Sequence, residues 1–481
     1  YSTAGHAFGH FACENKAFVT ARQNITPYNE AMSTQHTVAV IGAGPAGLFA
    51  ARELANAGMQ VALINRDIKA GGLAEYGIYH DKHKMKSALR KQFAQVLELP
   101  NIEYFGNVLI QQDGPLTLAD VQNMGFDAIL VCVGAQGTKW LGLEGEDLRG
   151  VYHAKDLVYH YNKLPPFSQQ QFAIGKRVVC IGAGNVMLDI ARWAIHDLKV
   201  DELVAVVRRG PGDVKFTRKE MESVAANLDL EALEAETGRC TPNLLAVGQD
   251  AQKGKDFILS ALRHADPKIS DSRMCFDFLA SPHRILGNDD GSVRALEVEE
   301  TLLVLREDGS TTAKGQGSYR EIEADTVVFC IGDKVDANFG LPLDKWGDFA
   351  KHPEPRFPQD GNSYEAYNPE TQQAVEGVFL AGWSREASTG VVGAARKDGT
   401  LASHALLAYL ENRPETGAGA IENLEARLST LEAPVVRKPD LLKLEEIEVA
   451  QAAEHGLLEF KFASNEDMLN AMGLGQLEQA N

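Results

Sequence analysis

Apolar residues in this chain gather into short continuous runs, and the stretches between them switch to helical spacing. Val38 to Ile41 is such a run; a helical pattern follows to Ala57, Gly58 ends it, and a second apolar run closes at Ile64. Continuous runs of this kind read as strands buried on both faces, and a helix-spaced segment between two of them reads as a βαβ unit. The order recurs in KRVVCIGAGNVMLDIARWAI (residues 176–195), followed by LVAVV (203–207). GVFLAG and then TGVVGAARKDG form a related pattern, an apolar strand ending in glycine and a glycine turn entering a helix. The pattern therefore predicts an α/β fold. Beyond the two βαβ units the sequence holds no internal repeat and no low-complexity tract. No apolar run reaches the roughly 18 residues of a membrane span.

The first unit carries Gly42-x-Gly44-x-x-Gly47 at its strand-to-helix turn. Gly42 permits the tight turn, Gly44 lets the backbone approach a pyrophosphate, and Gly47 lets helix and strand pack closely. The helix start then offers free N–H groups and a positive dipole end to phosphates. One position departs from the dinucleotide pattern. The second strand ordinarily ends in an acid that accepts from ribose hydroxyls, and this chain has Asn65, then Arg66 and Asp67.

In the second unit Gly182-x-Gly184 forms the turn and Met187 stands where the third glycine is expected, which loosens the match. The unit's second strand strengthens it again, because that strand ends in Arg208 and Arg209, within LVAVVRRGPGD. A free ribose 2′-OH favours an acid at that strand end, whereas a 2′-phosphate repels one and is bound bidentately by guanidinium groups. A solvated strand end is the plainer reading of an isolated Arg pair, and the preceding glycine turn argues against it. Two dinucleotide turns on one chain point to two cofactors, with a flavin and a nicotinamide the usual pairing.

Charge and cysteine content narrow the class. A formal net charge of -19 disfavours non-specific binding to nucleic acid or an anionic membrane. The six cysteines, at 13, 132, 180, 240, 275 and 330, show no C-x-x-C and no clustered Cys/His spacing. They fit reduced thiols in a cytoplasmic or equivalent reducing compartment, with no metal site. Residues 1–35 lack a periodic apolar pattern and read as an N-terminal extension of unknown role, with the recognisable protein expected to start near Met32.

With IGAGPAGL at 41, GGLAEYGI at 71, CVGAQ at 132, GAGNVMLDIAR at 182, VRRGPGDVKFTRKE at 207, CIGDK at 330 and AGWSREASTGVVG at 381, the chain resembles the adrenodoxin reductase-like family of FAD-dependent ferredoxin-NADP reductases. That family is related to the glutamate synthase small subunit. The resemblance runs from about His36 to Gly473. It implies two Rossmann-like domains, an NADP domain (137–332) inserted into a split FAD domain (36–136 and 333–412), with 413–481 packing on the FAD domain as helices and a short strand. It further implies that Gly42, Gly44, Pro45, Ala46 and Gly47 cradle the FAD pyrophosphate, with Asn65 at the ribose. Gly72, Leu73, Tyr76, Trp383, Gly390, Val391 and Val392 would lie along the flavin. For NADP(H) it implies Gly184, Asn185 and Val186 at the pyrophosphate, Arg208 and Arg209 at the 2′-phosphate, Glu220 beside the nicotinamide nucleotide, and Gly390 shared. The stretch Tyr79-His80-Asp81-Lys82-His83 departs from the family's A-P-D-H-P, so a histidine proton relay does not carry over.

The activity expected from the resemblance is hydride exchange between NADP(H) and the flavin, and single-electron exchange with a ferredoxin or other iron-sulfur protein. No side chain is required as nucleophile or acid-base catalyst. Lys82, Lys84, Lys86, Arg90 and Lys91 form a local cationic cluster, read either as a docking patch for an acidic partner or as a solvated helix face. Two other readings stand beside this one. One is an electron-transfer subunit of a larger iron-sulfur complex, like the glutamate synthase small subunit; the other is a non-catalytic nucleotide sensor.

Overall fold

A computed structural model describes residues 36–475; the N-terminal extension, with Met32 and Cys13, and residues 476–481 lie outside the described part. Two parallel sheets organise it. The six-stranded sheet runs in the order Glu365–Asn368, Gln373–Leu380, Ala128–Val131, Thr37–Ile41, Gln60–Ile64, Ile102–Phe105, with only Glu365–Asn368 antiparallel. The five-stranded sheet runs Val151–His153, Thr326–Phe329, Arg177–Ile181, Glu202–Val207, Arg273–Phe278, all parallel. A three-stranded antiparallel ribbon (Ala280–Gly287, Val293–Leu305, Thr311–Glu323) completes the second unit.

The continuous apolar runs form strands because both faces of each sheet are covered. Val38 and Val40 enter one core and Ala39 and Ile41 the core on the opposite face. Val178 and Cys180 are likewise separated from Val179 and Ile181. In each sheet the strand before the glycine turn has its βαβ partner on one side and a strand from much later in the chain on the other. The order of strands therefore reverses at Thr37–Ile41 and again at Arg177–Ile181, and both glycine turns lie at carboxyl ends where such a reversal opens a crevice.

Two segments cross between the units, and they pair with each other: Gly137–Thr138 is antiparallel to Asp333–Lys334. The C-terminal residues form the helices Ala420–Leu428, Lys438–Glu454 and Asn465–Met472. The short strand expected among them reduces to a single bridge, Val436 to Gly106, because only one residue reaches the sheet edge.

The helix Pro45–Asn56, which follows the first turn, packs closely against the helix Val392–Leu410 and the turn that precedes it. A Cβ on Gly399 would strike the Ala46 carbonyl, and one on Gly382 would come within 2.7 Å of the Ala46 side chain. Backbone cannot yield as a flexible side chain does. Gly399→Ala is therefore expected to lower the melting temperature by about 5 °C or more; a thermal scan showing an unchanged midpoint would contradict this packing.

Candidate functional site

The two glycine turns repeat one construction. Gly42 has φ +105° and donates its N–H to the Ile64 carbonyl at 2.7 Å; Gly182 has φ +120° and donates to the Val206 carbonyl at 3.0 Å. A Cβ at Gly42 would collide with the Cys132 carbonyl, and one at Gly182 would sit 2.5 Å from the Cys330 carbonyl. Cys132 and Cys330 each donate their N–H back to the strand before the turn, at 2.7 and 2.8 Å. CVGAQ and CIGDK are thus matching walls of two matching turns.

Gly44 and Gly184 are the N-cap residues of the helices Pro45–Asn56 and Asn185–Arg192, and neither helix start is capped by a side chain. A Cβ on either glycine would meet nothing within 4 Å. The first-turn amides and the space before them are therefore left for a ligand, as dinucleotide phosphates require. Met187 is fully buried in the second unit's core, whereas a Cβ on its counterpart Gly47 would strike the Gly42 carbonyl. The second helix has room for this side chain behind its turn, so Met187 leaves the turn itself intact.

Around the first turn the structure gathers most of the residues singled out in the sequence. Gly72, at φ +49°, lies against Gly44, where an added Cβ would be 3.1 Å from the Gly44 Cα. Leu73 and Tyr76 follow on the short helix Leu73–Tyr76, with Tyr76 buried. Pro45 and Ala46 begin the loop helix. Trp383 lies on the turn Gly382–Ser384, its Nε1 donating to the Thr389 carbonyl at 3.0 Å. Gly390 and Val391 are exposed, and Val391 caps the helix Val392–Leu410 without a side-chain bond.

Asn65 plays a different part from the one expected. Its Oδ1 accepts from Ala43 N at 2.9 Å, and its Nδ2 donates to the Asp67 and Lys69 carbonyls and the Tyr104 hydroxyl at 2.8, 3.1 and 3.1 Å. The carboxamide is spent bracing the glycine turn from below, which leaves no free donor for a ribose. The arginine pair divides in a similar way. Arg208 is exposed. Arg209 donates to the Thr311 carbonyl at 2.8 Å and pairs with Asp213 at 2.9 Å, so only Arg208 presents an uncommitted guanidinium.

The expected cationic patch is not a surface patch. Lys86 is 1% exposed and faces Glu459 at 3.5 Å, and Arg90 donates to both oxygens of buried Glu75 at 2.7 and 2.6 Å and also pairs with Glu459. Lys461 joins the same cluster 2.9 Å from Glu75 Oε1, with burial lowering its pKa to about 8. Cationic partners hold Glu75 well below the usual carboxylate range, against the opposing effect of burial. Lys82 is paired with Glu220, which leaves Lys84 and Lys91 as the exposed members. On the helix His83–Leu97, Lys86 and Arg90 face inward to Glu459 of the C-terminal segment and Lys84 and Lys91 face outward, while Lys82 precedes the helix.

Several polar residues that organise the site carry no motif. Asp398 accepts from Gly382 N at 2.6 Å and from Arg385 at 2.6 Å, holding the Trp383 turn. Ser384 Oγ accepts from Gly134 N at 3.0 Å, and Ser388 Oγ accepts from Asp333 N at 2.7 Å. Only the juxtaposition of Asp398 with helical Gly399 hints at this in the sequence. Asp189, half-buried on the second loop helix, has its pKa raised to about 7, chiefly by desolvation, with Lys82 lowering and Glu220 raising it.

This arrangement defines a protein with two dinucleotide turns on two parallel sheets, with the ancillary residues clustered at the first. Comparisons with known proteins agree with that class. A family model described as pyridine nucleotide-disulphide oxidoreductase matches residues 36–231. The chain is 29% identical to "NADPH-ferredoxin reductase FprA" of Mycobacterium leprae (strain TN), over 90% of this chain and 98% of the relative. It is 25% identical to "NADPH:adrenodoxin oxidoreductase, mitochondrial" of Arabidopsis thaliana, over 77% and 82%. The solved structure of "Mycobacterium tuberculosis FprA in complex with NADPH" superimposes with a TM-score of 0.74 at 27% identity, covering 91% of this chain and all of that one. Over most of its length the chain is thus similar to ferredoxin and adrenodoxin reductases. Among the described residues no helix is long and apolar enough to cross a membrane.

Asp189 gives a pH-dependent test of the second unit. Its ordinary pKa is 3.8 and its value here about 7, so between them the folded chain holds a proton that the unfolded chain has released. Stability then falls as pH rises through that window, and above it the folded chain carries the full cost of an ionised, poorly solvated carboxylate. Asp189→Asn should raise the melting temperature by a few degrees at pH 8 and by less at pH 5; equal shifts at both would contradict the assignment.

Proposed function

We propose that the chain is a flavoprotein oxidoreductase that binds FAD at the first turn and NADP(H) at the second, and exchanges electrons with a ferredoxin or another iron-sulfur protein. The observation that carries this is the pair of uncapped helix starts behind Gly44 and Gly184, each with open space where a side chain would stand. That space suits a pyrophosphate, whose charge the helix amides and dipole favour. Bound FAD would supply the chemistry, accepting a hydride from NADPH and releasing electrons singly.

On this reading Gly42, Gly44, Pro45, Ala46 and Gly47 hold the flavin nucleotide, with Asn65 bracing the turn. Gly72, Leu73, Tyr76, Trp383, Gly390, Val391 and Val392 contribute contacts along its length. Gly184, Asn185 and Val186 hold the second pyrophosphate, Arg208 engages the 2′-phosphate, and Glu220 stands by the nicotinamide half. The FAD domain is split into 36–136 and 333–412, with an NADP domain of 137–332 between them and 413–481 packed on the first. This division is supported by the second sheet being drawn entirely from residues 151–329 while the first uses strands from both sides of that span.

Gly44→Ala and Gly184→Ala separate the two sites. Neither added methyl meets protein atoms, so both variants should fold. Gly44→Ala should be purified without flavin, whereas Gly184→Ala should retain flavin and lose about tenfold or more in NADPH affinity. Flavin retained at full occupancy in the first variant would refute the assignment of the first turn. Arg208→Gln should reduce the preference for NADPH over NADH by about tenfold, with Arg209→Gln doing less; a larger effect at Arg209, measured as the ratio of kcat/KM values, would reverse their roles.

A further inference from the structure

A stretch that departs from the pattern of the family the chain resembles, Tyr79 to Lys82, leaves the first unit and enters the second. Tyr79 comes after the Gly72–Tyr76 segment in the chain, yet its side chain is 2% exposed and packs in the core beneath the second sheet. Its ring lies 5.5 Å from that of Tyr161, and its hydroxyl donates to Asp197 at 2.8 Å. The Arg192 guanidinium sits 4.7 Å from the Tyr79 ring centre and also pairs with Asp81. His80 Nε2 stands 3.8 Å from Asp197 Oδ2, and Lys82 Nζ is 2.6 Å from Glu220 Oε2. Four consecutive residues of one unit thus each engage the loop helix Asn185–Arg192, its continuation through Asp197, or the short helix Arg218–Met221.

One of these contacts, Lys82 with Glu220, leads back to the second glycine turn. Thr217 caps the short helix by accepting from Glu220 N at 3.3 Å, and its own N–H donates to Asn185 Oδ1 at 2.9 Å. Asn185 is the residue directly after Gly184. Glu220 is therefore held to the turn through Thr217 on one side and to the first unit through Lys82 on the other. Asp189 feels Lys82, Glu220, Arg192 and Asp81 together. Without Lys82 this pocket would keep the charges of Glu220 and Asp81 with one fewer cation, beside a turn built to receive a polyanion.

We propose that Tyr79–Lys82 is a clamp between the two units, and that Lys82 is a positioning residue for the nicotinamide half of the second nucleotide, acting through its ion pair with Glu220. The inference rests on the reading of the second turn as an NADP(H) site and goes beyond it in giving this role to a residue whose sequence context suggests a docking surface. Lys82 neutralises Glu220 and fixes its carboxylate on the short helix that Thr217 ties to the turn, so its loss affects the part of the ligand nearest Glu220. The adenosine 2′-phosphate end, engaged by Arg208, is untouched.

The test compares NADP+ with 2′,5′-ADP, which lacks the nicotinamide half, by titration calorimetry on the flavin-loaded full chain. Lys82→Met should weaken NADP+ by about tenfold and leave 2′,5′-ADP within about twofold. In a chain already carrying Glu220→Gln, adding Lys82→Met should change NADP+ affinity by less than about twofold. Unchanged NADP+ affinity in Lys82→Met would overturn the proposal, and so would equal losses for both ligands, which would mark a general role in the fold. A further loss of about tenfold when Lys82→Met is added to Glu220→Gln would overturn it as well, because Lys82 would then act on the nucleotide and not through Glu220. An unaltered chain that binds no NADP+ would instead refute the functional reading on which the clamp rests.

Discussion

A glycine turn passing against the carbonyl that ends the neighbouring strand is the constraint on which both uncapped helix starts depend. At Gly42 the obstacle is the Cys132 carbonyl and at Gly182 the Cys330 carbonyl. Both turns also need positive φ, which other residues adopt only with strain. Once the backbone lies this close to the adjacent strand, the next helix starts at the crevice where strand order reverses, with its first amides pointing outward. The rest of the site is built around those two starts: Asn65 braces the first from below, Gly72 closes over it, and the Trp383 turn is drawn against Ala46 and held by Asp398.

A transfer between two nucleotides also requires the two turns to keep a fixed relation, since reacting groups misplaced by about 1 Å lose much of the rate. Three ties between the units meet this need. The crossover segments pair as a ribbon, Tyr79–Lys82 inserts into the second unit, and the C-terminal segment brings Lys461 to Glu75 and to the Asn162 carbonyl, at 2.9 and 3.5 Å. The last tie is made largely of charge. Its members are partnered several times over, as groups removed from water must be.

Much of this was legible in the sequence because periodicity and glycine spacing report backbone geometry directly. The two βαβ units, the switch to a helix after Gly390 and the pairing of each turn with its strands all derive from local pattern. Side-chain commitments were not legible. Nothing in the order Asn65-Arg66-Asp67 shows that the Asn65 carboxamide is consumed by Ala43 and Tyr104, and nothing in RRGPGD shows Asp213 and Thr311 capturing Arg209. The lysine and arginine residues of 82–91 read as one cationic cluster, whereas the helix they lie on turns Lys86 and Arg90 inward to Glu75 and Glu459, which come from distant parts of the chain. Such pairings are made by tertiary contact, so a linear spacing has no means of encoding them.

The central claim is that one chain binds a flavin and a reduced nicotinamide so that a hydride passes between them, with Arg208 favouring NADPH. Anaerobic titration of the flavin-loaded chain with NADPH and, separately, with NADH tests it most directly, read as loss of flavin absorbance. NADPH should bleach the flavin stoichiometrically at concentrations where NADH reduces little of it. Equal bleaching by both would contradict the role given to Arg208, and no bleaching by either would contradict the claim itself.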